Sequence, residues 1–221
     1  MNAPRPIRAA FSQALKEAWA GGAGAILPSA FFAGAAFLVP LTLGTNTAEL
    51  AAVAYGVLWI ALALASLVTM ERLFQADLED GTLDLWLTSD VMVSLIALVK
   101  TLAHWLVSGV PLVLLSPVLA IILGVPPEET LRAMAAYGLG GLAFFLWGGF
   151  GASLAAGVRR GGLLIALIAL PFFVPTAIFG ALALASPVSL PPEALLLAAS
   201  TLFALVVAPI GMGAALKMSA D

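Results

Sequence analysis

LAAVAYGVLWIALALASLVTM (Leu50–Met70) runs directly into ERLFQADLEDGTLD (Glu71–Asp84). The first stretch carries no charge and is long enough for a helix to cross a hydrocarbon core, which takes ~20 apolar residues. The second holds five of the chain's 12 acidic residues. One half needs lipid as solvent and the other needs water, so the boundary between them lies at a membrane surface. Working outward, five further apolar runs have the same character: Ala25–Leu43, Val93–Leu123, Leu131–Ala156, Leu163–Ala185 and Ala194–Leu216. No run alternates with period two, which argues against a β-barrel. The expected fold class is all-α: a polytopic membrane protein with six transmembrane helices.

Composition agrees. The chain of 221 residues is 62% hydrophobic and 10% charged, with mean hydropathy +1.12. Ordinary soluble domains carry about a quarter charged residues. A net charge of −3 implies no nucleic-acid partner. The chain has no cysteine, which excludes disulfides, thiolate metal sites and covalent haem attachment. The first apolar run exceeds the ~7–15 residues of a signal-peptide core, so it reads as an uncleaved span. Pro111 and Pro117 inside the long third run predict a kinked or tilted helix. Pro171 and Pro175 predict a bend in the fifth.

The basic residues orient the bundle. Arg5, Arg8, Lys16, Arg72, Arg159, Arg160 and Lys217 fall on one side, and Arg132 alone falls on the other. Acidic residues contribute little to this rule. Both termini and the acidic loop are therefore expected in the cytoplasm. Ahead of the first span, Ile7, Phe11, Leu15 and Trp19 recur every four residues. That spacing predicts a helix over 5–20 lying in the interface of the lipid bilayer, with Trp19 at headgroup depth.

The acidic loop has its own pattern. Glu71–Glu79 is expected to continue the second helix, with Gly81 breaking it. Thr82 is the expected cap of a short helix, Leu83–Thr88. Leu83, Trp86 and Leu87 share one face by their spacing, rimmed by Asp77, Glu79, Asp80 and Asp84. An apolar knob with a charged rim suits a protein groove, with Trp86 as anchor. The competing reading is a helix resting on lipid with its carboxylates solvated. Repulsion between these carboxylates and anionic headgroups favours docking. The acids lack calcium-loop spacing, so no metal is assigned.

Lys100, His104 and Ser108 lie on one face of the third span. Lys100 is close enough to the inner end to snorkel. His104 is the sole histidine. It reads either as a proton relay or as a neutral ring bonded across a helix interface, and one histidine without partners makes a poor metal or haem site. Gly148, Ala152 and Ala156 give the fourth span a small-residue face for close packing, within the subunit or between two copies. No phosphate-binding loop, Gly-x-Ser-x-Gly or His-Glu-x-x-His occurs, so no catalytic residue is assigned and an enzyme is not expected.

The turn Asp80-Gly-Thr-Leu83, the run KTLAHWL (Lys100–Leu106) and the run GVPLVLLSP (Gly109–Pro117) together carry a resemblance. Over nearly its whole length the chain resembles the haem exporter protein B family (CcmB), the ABC-type permease of cytochrome c maturation. It departs from the family pattern at Asp84, where Glu is usual, and at Trp86. The resemblance implies a single permease domain over 1–221, similar to ABC-2-type permeases, with a cytoplasmic coupling loop over 71–90. It implies a place in the bacterial inner membrane as a homodimer within a complex. An ABC ATPase subunit, which binds the ATP, would dock on Asp77, Glu79, Asp80, Gly81, Leu83, Asp84 and Trp86. Other implied partners are the haem-handling protein C, the small protein D and, indirectly, a periplasmic haem chaperone. The implied task is to couple ATP hydrolysis on the partner to haem export or to release of the loaded chaperone, with haem as substrate and no cofactor on this chain. The family's haem-ligating motifs belong to the C subunit, so His104 is not carried over as a ligand. An ATP-independent carrier or channel using Lys100 and His104 is the alternative.

Overall fold

The computed structural model describes residues 4–20, 24–158 and 161–219, and every regular element among them is helical. The Arg159-Arg160 turn used to orient the chain lies outside the described residues. The chain opens with α1 (Pro4–Ala20). Two antiparallel helices follow, α2 (Ile26–Leu43) and α3 (Thr47–Leu67). Two short helices, α4 (Gln75–Glu79) and α5 (Thr82–Leu87), lead to α6 (Val93–His104), which passes through a π-turn, Trp105–Gly109, into α7 (Val110–Ile122). The last three are α8 (Thr130–Ala155), α9 (Gly162–Ala185) and α10 (Pro192–Met218). Among the described residues, six helical segments, counting α6 and α7 as one, are long and apolar enough to cross a membrane. The chain is an all-α, multi-pass membrane protein.

One departure from the sequence reading concerns a span. The second helix does not continue to Glu79. It ends at Leu67, and a 3-10 turn, Met70–Arg72, redirects the chain. Met70 is driven inward there and is fully buried. In the third span the irregularity is localised. Pro111 has no N–H to give the carbonyl four residues back. The ladder slips one residue, and the Val110 N–H bonds the Trp105 carbonyl, a π-type bond. α9, by contrast, runs unbroken through Pro171 and Pro175.

α8 is the axis of the bundle. It packs on α3, α6, α7, α9 and α10, and 72% of its spanning window is buried. Its small residues make this possible. Trp59 of α3 is wedged between Gly140 of α8 and Gly180 of α9. A Cβ at either glycine would stand 2.4 or 2.1 Å from the indole. Tyr137 lies tilted against the same ring at 4.9 Å, and Phe144 meets it edge-on at 5.8 Å. The expected small face is also used inside the subunit: Gly148 receives Met70, and Ala152 and Ala156 are buried. The outward apolar side chains, such as Phe37, Leu41, Val174, Ile178, Phe203 and Val206, are exposed as lipid-facing residues must be.

The end of the bundle away from α1 is fastened by short-range bonds. The Asn46 side chain accepts from the Ala48 N–H at 3.1 Å, capping α3. Arg132, near the start of α8, donates to the carbonyls of Leu184 (2.7 Å), Ser186 (3.1 Å) and Val188 (3.1 Å). These are acceptors at and just beyond the end of α9, where helix carbonyls lack intrahelical partners and a cation is favoured. Tyr55 donates to the Glu129 carboxylate at the same end.

Candidate functional site

The candidate site is at the α1 end, where the acidic loop folds back on the bundle. Gly81 sits at φ +78°, a left-handed conformation that favours glycine, and reverses the chain between α4 and α5. Thr82 is the first residue of α5 rather than its cap. The turn aims Asp80 at its free amide, and the Thr82 N–H donates to the Asp80 carboxylate at 2.9 Å. Hydrogen bonding from Thr82, side chain and backbone, holds the Asp80 carboxyl below the usual carboxylate range.

α5 is amphipathic as the spacing requires, but it faces the other way. Leu83 is 1% exposed, and Trp86 and Leu87 pack against the core. The expected outward knob is therefore an inward one. A short helix at a bundle end buries its apolar face against its own chain first, because those neighbours are always present. What faces out is Glu79, Asp80, Asp84 and Leu85, the last 70% exposed. Gly81 is half-buried between them. Leu85 was missed in the sequence because it lies off the apolar stripe. An isolated leucine among carboxylates was the signal available.

Asp77 does not rim the outward surface either. It is 2% exposed and pairs with Lys100, which does not snorkel to the headgroups. The Lys100 ammonium donates to Asp77 Oδ1 at 2.7 Å and Oδ2 at 2.5 Å, and to Glu17 Oε2 of α1 at 2.8 Å. Its Nζ also stands 5.4 Å from the centre of the Trp86 ring. Three donors thus meet three carboxylate oxygens, which a buried ammonium needs. A cavity of about 20 Å³, room for one water, lies among Gln13, Glu17, Asp77, Trp86 and Lys100. Glu17 was not singled out from sequence, yet it is the one acidic residue before Glu49.

The face Lys100–His104–Ser108 is buried along its length, and its three members do different things. His104 Nε2 and Thr69 Oγ1 are 2.8 Å apart, tying α6 to the link after α3. The imidazole also lies 5.8 Å from the Phe145 ring. Ser108 falls in the π-turn, and its hydroxyl makes no hydrogen bond among the described residues. A further tie runs from the loop to α9, whose first residue, Gly162, donates its N–H to Glu71 at 3.4 Å. A carboxylate there complements the positive end of α9. The acidic loop is therefore fastened to α6 and α9 directly, and to α1 through Lys100.

Comparison with known proteins gives a consistent picture. The family model described as CcmB protein matches residues 6–219. The heme exporter protein B of Paracoccus denitrificans is 39% identical over 219 residues, covering 96% of this chain and 99% of the relative. That of Rhodobacter capsulatus is 42% identical over 175 residues, covering 79% of this chain and 80% of the relative. That of Escherichia coli K12 is 34% identical over 195 residues, covering 87% and 89%.

Proposed function

The chain belongs to the CcmB family, and on that premise we propose that it couples ATP hydrolysis on a partner ABC ATPase to haem delivery in cytochrome c maturation. In this reading the chain lies in the bacterial inner membrane with the α1 end in the cytoplasm. The ATPase docks on the outward ridge of α4 and α5, namely Glu79, Asp80, Asp84 and Leu85. Two permeases, each with an ATPase, work beside the haem-handling protein C and the small protein D. The observation that carries this reading is the join between ridge and bundle. The ridge is held by a buried ion pair to a membrane helix, so a push on it is passed to α6.

Between haem export and release of a loaded chaperone, the interior favours release. Among the described residues the buried acidic and basic side chains are Asp77, Lys100 and His104, all near the α1 end. Lys100 is engaged by two carboxylates and His104 by Thr69. Those engagements leave neither group free for an ATP-independent carrier within one chain.

The test is co-purification from native membranes. Asp80→Lys with Asp84→Lys, and separately Leu85→Ala, should leave the permease in the membrane and lose the ATPase, because anchor residues at an interface centre dominate its energetics. Equal ATPase recovery together with full cytochrome c yield in both variants refutes docking at this ridge.

A further inference from the structure

We infer that α1 is a releasable latch on the acidic loop, in which Lys100 is the shared catch, Asp77 the arm that stays and Glu17 the arm that lets go. This deepens the coupling reading and rests on it, because it says where the partner's push divides.

The asymmetry of the two arms carries the inference. The side chains of Lys100 and Asp77 are 9% and 3% exposed, and both Asp77 oxygens are bonded to Nζ. Separating that pair would leave a buried charge without a partner, which is strongly unfavourable. The Glu17 side chain is 39% exposed and reaches Lys100 through one oxygen. A half-exposed, single-contact pair holds weakly, because water competes for both groups. Beyond this pair α1 is held by apolar packing on α6, with Ala14 buried, and Ala10 and Ala14 also border the water-sized cavity. Trp19, at the end of α1, is 75% exposed and adds nothing to the hold on the loop. When the loop and Lys100 shift against α1, the polar tie that gives first is therefore Glu17–Lys100. Releasing it uncovers the Trp86 face of the loop.

The chain has no cysteine, so single reporters can be placed cleanly. A nitroxide on Ser12→Cys, exposed on α1, reports the latch, and one on Thr88→Cys, exposed at the end of α5, reports the loop. Both are read by electron paramagnetic resonance in the full chain in lipid vesicles. With Glu17→Gln the Ser12 reporter should become severalfold more mobile while the Thr88 reporter stays unchanged. Lys100→Met should mobilise both, and Lys100→Arg should restore both. A Ser12 reporter as immobile in Glu17→Gln as in the wild type overturns the latch. So does a Thr88 reporter that loosens equally, since the hub is then one rigid unit. If Lys100→Met fails to insert, the Glu17→Gln comparison decides alone.

These spectra need no ATPase, so they separate the latch from docking. A wild-type chain that brings down no ATPase defeats the docking reading and leaves the spectra standing. In the assembled complex, Glu17→Gln should retain the ATPase and lower cytochrome c yield severalfold. A freed α1 with undiminished yield removes the latch from the coupling path.

Discussion

At the α1 end, one ammonium group joins α1, α4 and α6 through carboxylates; at the opposite end, one guanidinium joins α8 to the end of α9 through main-chain carbonyls. The first joint requires three particular side chains from places 23 and 83 residues apart. The second requires one. The surroundings differ in the same sense. A 3-10 turn, two short helices and the left-handed Gly81 crowd the α1 end, and the π-turn follows in the third span. The other end has its own 3-10 turn, Pro127–Glu129, and left-handed Gly44 and Gly124, but there Asn46 and Arg132 close off long helices directly. The lesson is one of placement. The joint made by side chains lies where the acidic loop meets the bundle, and the joint made to main-chain oxygens lies at the opposite end.

The hardest blow to this contrast is Lys100→Met. It leaves Asp77 buried without its cation, and breaking a buried pair costs about 3–5 kcal/mol. The melting temperature in detergent should drop steeply, and Lys100→Arg should recover most of the loss. Arg132→Ala comes next. Hydrogen bonds from a charged donor contribute about 1.5–3 kcal/mol, and the three here share one side chain, so the expected loss is at the lower end. If Arg132→Ala melts earlier than Lys100→Met, the two ends have been ranked wrongly. The smallest effect is a pH effect on α5. The folded-state pKa of Asp80 is lowered by its bonds from Thr82, so its contribution is present above the ordinary carboxylate range and fades as pH falls through the lowered value. Hydrogen exchange at the Thr82 amide, corrected for intrinsic rates, should lose protection on acidification, and Asp80→Asn should flatten that dependence. The Ser186 amide, which donates to the Leu182 carbonyl beside the Arg132 grip, should show no such trend.

Much of the framework was legible in the sequence because lipid imposes a length and a polarity on each span. The six runs, the helix ahead of the first and the break at Gly81 all follow from that and from glycine chemistry. The site was half legible. Periodicity placed Leu83, Trp86 and Leu87 on one stripe, but it is silent on which neighbour claims the stripe, and here the bundle does. Asp77 looked like a member of a surface cluster because its partner Lys100 lies beyond a helix and a turn. Glu17 belongs to α1, a different element altogether. Pairings of this kind are decided by packing, not by local pattern. The wedge of Trp59 between Gly140 and Gly180 was hidden for the same reason: three spans must be stacked before the slot exists.

The grip of Arg132 has one more implication. Main-chain oxygens are common to all amino acids, so the fastening ignores which side chains the turn from 185 to 191 carries. Substitutions there are free to accumulate among relatives, provided the backbone path is kept, and the far ends of α8 and α9 will stay buckled together all the same.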